Sequence, residues 1–204
     1  DIAESSFDPI TESYDFEGYV IYRSTDPSFL DQQTITDANG SRFLFEPLKT
    51  VDGASAKFDL VNEYSGLSTI PYTGRGTSYN LGENTGLRHV FVDSNNVING
   101  QNYYYAVVSY DHGDSELMVA PAECSKTITV NPETGEVLLD VNTVSIVPRT
   151  VSAGYVQSSI DSTGLIQNQG IGTGSVDIEI IDHTAIQNEN GFKIMFSEDG
   201  GLNY

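Results

Sequence analysis

Apolar residues in this chain recur at every second position, in short runs separated by Gly, Asn, Asp and Pro. Such alternation predicts β-strands, because successive side chains of a strand point to opposite faces. The clearest run is 102–110, NYYYAVVSY. Tyr103, Tyr105, Val107 and Ser109 share one face, and Tyr104, Ala106, Val108 and Tyr110 share the other. Both faces are apolar or aromatic, so this segment reads as a central strand. Asn99-Gly100 just before it is a tight-turn signal. Residues 16–23, FEGYVIYR, form a second clear strand. Residues 90–92, 127–130, 143–147, 176–181 and 192–196 read as further strands. No apolar period of 3.6 lasts for the length of a helix, and 54–64 has room for one or two helical turns at most. The predicted class is all-β.

Turn residues then divide the chain. The stretch 131–135, NPETG, follows a strand and opens a linker over 131–142. The first domain is predicted over 1–130 and a second, sandwich-like β-domain over 143–204. Three or four strands are evident in the second, which reads as incomplete. Residues 24–90 lie between the two clearest strands and form a long insertion, and loops of this size on a β-scaffold commonly carry function. No repeat or low-complexity tract breaks the pattern.

Charge changes the picture of partners. Twenty-nine acidic residues face nine basic ones, a formal net charge of −20. Such a surface repels phosphate backbones and anionic lipid headgroups, so nucleic-acid binding is not expected. It attracts cations and suits salty surroundings. No run reaches transmembrane length, so membrane insertion is not expected either. Without Trp, nine Phe and twelve Tyr must supply the large apolar surfaces. The single cysteine, Cys124, leaves no intrachain disulfide. Beside an acid, Glu123, it reads as a buried strand residue rather than a nucleophile. The polar start at Asp1 and the stop just past a strand-like run read as cuts from something longer.

Two motifs carry a resemblance. Residues 17–24, EGYVIYRS, resemble strand C of bacterial fibronectin type III domains. Val92-Asp93 followed by 99–107, NGQNYYYAV, is similar to the turn and strand F of that family. The resemblance implies a β-sandwich in which Tyr103 is the tyrosine corner, its hydroxyl bonded to backbone upstream. It also implies that strand G lies within 117–130. Only fifteen residues precede Phe16, and they read as loop, which leaves strands A and B without counterparts. The segments 15–24, 35–40, 84–93 and 99–106 further resemble long uncharacterised secreted proteins of Gram-negative bacteria that end in a surface-sorting domain. That likeness covers most of residues 1–185. It implies export and attachment to the cell surface, and it implies no catalytic activity.

Candidate chemistry is sparse. Asp26, Asp31, Asp37 and Asn39, with Gly40 for the bend, offer oxygen ligands of the kind Ca²⁺ takes; alternatively they only form turns. Asp111 and Asp114 flank His112 as a weaker cation candidate, or as a solvated turn. The three histidines fall in separate regions without zinc spacing. The glycines of 170–174 precede a strand, which makes them a turn rather than a phosphate loop. Tyr64, Tyr72 and Tyr79 either stack on glycans or pin the insertion to the sheet. These readings favour a non-catalytic structural or adhesive module of a larger surface or fibre-forming protein. Its partners would be other domains of the same polypeptide, or neighbouring subunits, joined through open sheet edges. The alternative is a carbohydrate-binding accessory module of a secreted enzyme. Nothing at recognisable spacing supports an enzyme.

Overall fold

The computed structural model describes residues 2–160 and 178–186, and the backbone of two short strands beyond them. Asp1–Thr150 and Val151–Tyr204 form two compact units. The strands of the first, in chain order, are β1 (Phe16–Ser24), β2 (Ile35–Thr36), β3 (Arg42–Leu44), β4 (Lys57–Asp59), β5 (Leu67–Pro71), β6 (Ser78–Asn80), β7 (Tyr103–Asp111), β8 (Ile128–Val130), β9 (Val137–Leu139) and β10 (Thr143–Ile146). One short 3₁₀ turn, Ala3–Ser5, precedes them. The all-β class is therefore observed, and all the strand pairs are antiparallel.

The two strands clearest in the sequence form the centre of the sheet. Its order is β10-β7-β1-β4. Val20 lies opposite Val108 and Tyr22 opposite Ala106, with a bulge at Glu17 between Phe16 and Gly18. Val20, Tyr22, Ala106, Val108 and Tyr110 point to one face. There they meet Phe29, Tyr79 and Leu81, with Phe45, Tyr72, Ile128 and Val137 packed around them. The ribbons β5–β6 and β8–β9 thus lie over this face. The opposite face holds a smaller cluster of Ile21, Leu48, Ala56 and Phe58, with Phe91 and Tyr105 against it.

Several expectations are corrected. The edge of β7 away from β1 is shared: Thr143–Ile146 pairs with Tyr103–Ala106 as a strand, while from 117–130 only an isolated bridge, Glu123 to Tyr110, lies along the other end. Residues 128–130 instead form a hairpin with 137–139, closed by the turn through the expected linker. The segment predicted to open the second domain thus completes the first sheet, and the units divide after Thr150. Residues 54–64 hold β4 rather than helical turns, because Lys57, Phe58 and Asp59 each find a partner on β1. Residues 90–92 form no strand; Val90 and Val92 are exposed and only Phe91 turns inward, onto Phe58. Cys124 is exposed, its backbone held to Ser109 along the rim of β7.

In the second unit, β11 (Met195–Phe196) pairs with β12 (Leu202–Asn203). His183 bridges to the 157–158 segment: its Nδ1 lies 2.9 Å from Ser158 O, and its Nε2 lies 2.8 Å from Gln157 Nε2. Residues 178–181 are not strand. The glycine run 170–174 and the remainder of the two predicted strands lie outside the described residues.

Candidate functional site

The insertion was the expected seat of function, and its polar groups can be followed one by one. Asp26 accepts the backbone N–H and hydroxyl of Ser28. Asp31 accepts the Ser24 hydroxyl together with the Thr25 N–H and hydroxyl. These two share the loop after β1, where Ser24 Oγ also donates to Asp26 O. Asp37 lies elsewhere, at the β2–β3 turn. Its Oδ1 accepts the N–H groups of Ser41 and Asn39, and its Oδ2 pairs with Arg75 at 3.0 Å. The Ser41 N–H and the Arg75 guanidinium hold its carboxyl below the usual range. Asn39 is exposed at the turn's tip. The four predicted calcium ligands are therefore split between two places, and each carboxylate already has local donors. Among the described residues, no three acidic, histidine or cysteine side chains gather to hold a metal ion.

The 111–114 turn is built in the same way. Asp111 Oδ1 accepts the N–H groups of Gly113 and Ala122. Burial, reinforced by Asp15 and Asp8, lifts its carboxyl to about 6. Asp114 Oδ1 accepts the N–H groups of Glu116 and Leu117. Gly113 has φ of +68°, and a Cβ there would overlap the carbonyl of Val119. The turn therefore requires glycine, and it lays 119–124 along β7.

The three candidate tyrosines part company. Tyr79 is buried and cannot stack on a sugar. Its hydroxyl donates to Glu123 Oε1 at 2.8 Å. Tyr72 packs against the same core, edge-on to Phe43, and donates to Pro121 O at 3.0 Å. Only Tyr64 keeps an exposed ring, stacked 3.8 Å from His112 at 9°.

Three constellations emerge that sequence reasoning missed. Glu123 Oε1 accepts the hydroxyls of both Tyr22 and Tyr79, while Lys126 sits 3.5 Å from Oε2 and over the rings of Tyr22 and Phe45. Burial and then the Glu123 charge push both tyrosines well above the usual phenol range. Across the sheet, Asp93 accepts from Arg23 at 2.8 Å and from the Tyr105 hydroxyl at 2.8 Å. Beside β4, Asp59 is fully buried and accepts the N–H groups of Asn84 and Thr85 and the Thr85 hydroxyl. Its neighbour Glu17 is also fully buried. Glu17 Oε2 accepts from Asn62 Nδ2 at 3.0 Å, and Oε1 has no partner. Burial, with Asp59 and Glu63 nearby, raises Glu17 to about 7. Apart from Lys126, three positions from Glu123, and Tyr105, twelve from Asp93, the partners of these groups lie tens of residues away in sequence, so no local spacing announces them.

Two depressions border these groups. One of about 320 Å³ lies beside Arg23, Asp31, Glu46, Lys49 and Tyr103. The other, about 370 Å³, lies beside Phe7, Asp15, Tyr110, Asp111 and Cys124. The Ser24 hydroxyl bonds Asp31 at the first, and no histidine lines either, so neither presents a nucleophile–histidine pair. Tyr103, the predicted tyrosine corner, accepts the Ile98 N–H at 3.1 Å and reaches Asn96 O at 3.5 Å, both upstream backbone groups. Among the described residues no helix is long and apolar enough to cross a membrane. No protein-family model, curated protein or solved structure matches the chain.

Proposed function

We propose that this chain is a non-catalytic structural module of a larger extracellular or cell-surface protein. The observation that carries the reading is the use made of the insertion's polar and aromatic groups. Glu123 gathers Tyr22, Tyr79 and Lys126, Asp37 takes Arg75, and Asp59 takes the 84–85 loop. Glu123 and Asp59 tie long stretches of chain to the sheet, and Asp37 with Arg75 joins the β2–β3 turn to the β5–β6 turn. The net charge of −20 and the single cysteine suit a salt-exposed setting in which packing, not bridging, supplies stability. The strand order β4-β1-β7-β10 and the upstream bonds of Tyr103 favour a fibronectin type III-like sheet, by analogy of fold alone.

The carbohydrate-binding alternative retains one supporting feature, the exposed Tyr64 ring backed by His112. A glycan array read alongside a panel of hydrolase substrates separates the readings. The structural reading expects neither saturable binding nor turnover. Binding that Tyr64→Ala abolishes would establish the alternative, and turnover would overturn both. Antibodies to the chain are expected to label intact cells of its source. Labelling that requires permeabilisation would remove the surface location.

A further inference from the structure

The outer strand β10 is built the wrong way round for an edge exposed to water. Its polar residues Thr143 and Ser145 are half-buried, while its apolar residues Val144 and Ile146 are 46% and 49% exposed. Val144 lies opposite Tyr105 and Ile146 opposite Tyr103, so both share a face with Val107, itself 47% exposed. The backbone is open as well. Val107 N–H donates to Asn142 O, and the antiparallel alternation then turns the backbone groups of Ser145 away from β7. Among the described residues nothing pairs with that side.

Charge indicates the occupant. Residues 141–148, VNTVSIVP, contain no ionisable side chain in a chain with 29 acidic residues. Two copies that approach through this run bring no like charges together within it. Asp140 and Arg149 flank the run at its two ends. Antiparallel pairing of two identical strands brings Asp140 of each copy toward Arg149 of the other. Such pairing is also self-limiting. At the opposite edge of the sheet, β4 is capped by Thr85, which accepts the Asp59 N–H and donates to Lys57 O. Pro148 stops the open strand from lengthening.

We propose that two copies of this chain pair through β10, antiparallel about a two-fold axis, joining their sheets into one and burying Val144 and Ile146. This deepens the structural-module reading and rests on it. The assembly closes as a dimer and does not propagate as a fibre, because among the described residues this sheet leaves only the β10 edge free. Net repulsion between two strongly acidic chains opposes pairing, so added salt favours the dimer.

Sedimentation velocity of the full chain tests this over a concentration series at low and high salt. The expected result is a monomer–dimer equilibrium that shifts toward dimer with salt. Val144→Lys places two like charges near the axis and is expected to weaken the dimer by about tenfold or more, roughly 1.4 kcal/mol. Its side chain is half exposed, so folding should survive, and an unchanged circular dichroism melt verifies that. Arg149→Glu is expected to weaken the dimer, and Asp140→Lys in the same chain to restore it. A wild-type chain that stays monomeric at concentrations on the order of 100 µM in high salt overturns the proposal. So does a dimer indifferent to Val144→Lys. A monomer whose Ser145 amide is nevertheless protected from hydrogen exchange also overturns it, since another segment of the same chain would then hold the edge. None of these results touches the non-catalytic reading, which turnover alone would defeat.

Discussion

Val107 and Val108 are neighbours on β7, yet one is half exposed and the other completely buried. The difference lies in what covers each face of the sheet. Over Val108, the ribbons β5–β6 and β8–β9 and the aromatic residues Phe29, Phe45 and Tyr79 make a closed layer, and Glu123 with Lys126 seals its rim. On the face that Val107 shares, Leu48, Ala56, Phe58 and Phe91 pack beside Ile21 and Tyr105, and Asp93 and Ile98 bond Tyr105 and Tyr103, but Val107 itself stays 47% exposed. Two identical side chains thus answer to different energetics. Burial removes apolar surface from water on one side and leaves much of it exposed on the other.

The sharpest way to break this comparison is to truncate one residue on each face. Tyr110→Ala removes a buried ring that donates to Leu81 O, and it is expected to cost about 3–5 kcal/mol in urea unfolding. Val107→Ala should fall within about 0.5 kcal/mol. Equal costs would show that the second face is closed in solution. Gly113→Ala comes next. Strain at a positive φ costs roughly 1–3 kcal/mol, and the overlap with Val119 O adds to it. Gly135, at φ +70° in open space, isolates the strain alone. The larger loss at Gly113 should loosen Glu123 and with it the closed face, visible as increased exchange of the 119–124 amides.

A pH titration probes the buried acids at the margin of the closed face. Glu17 holds its proton to about 7 when folded, above the usual glutamate range in the unfolded chain. Between those values the folded state binds more protons than the unfolded one. Stability therefore falls as pH rises from about 4.5 to 7 and levels off above that. Asp111, raised to about 6, acts in the same direction. Glu17→Gln should gain about 1–2 kcal/mol at pH 8 and flatten the profile, leaving only the shallower Asp111 slope. A variant as steeply pH-dependent as the wild type would move the effect to another group. The smallest expected effect is that of calcium. Asp26, Asp31 and Asp37 already have local donors, so millimolar Ca²⁺ should leave the melting temperature unchanged. A rise that Asp31→Asn abolishes would restore the predicted site.

Part of this architecture was legible without coordinates. The alternation in 102–110 announced a central strand with two apolar faces and that in 16–23 a second clear strand, and the two form the sheet's centre. The turn at Asn99-Gly100 was equally visible. The candidate site was less legible. Asp26 and Asp37 look alike in sequence, since both are aspartates in turns. Whether their oxygens meet depends on chain paths between them, and Arg75, 38 positions from Asp37, claims one of them. Tyr64, Tyr72 and Tyr79 likewise look equivalent as loop aromatics, and only burial distinguishes them.

Local pattern by itself determined the class, the two central strands and the side chains each of their faces presents, because the strand period is a property of the backbone. Tertiary structure alone decided which strand neighbours β7, which acids find donors and which valine meets water. Each of those outcomes depends on segments distant in sequence, and no local spacing encodes their meeting. So the short run at 143–146 could be read as a strand from its residues, but its position as an open, uncharged edge belongs to the folded sheet.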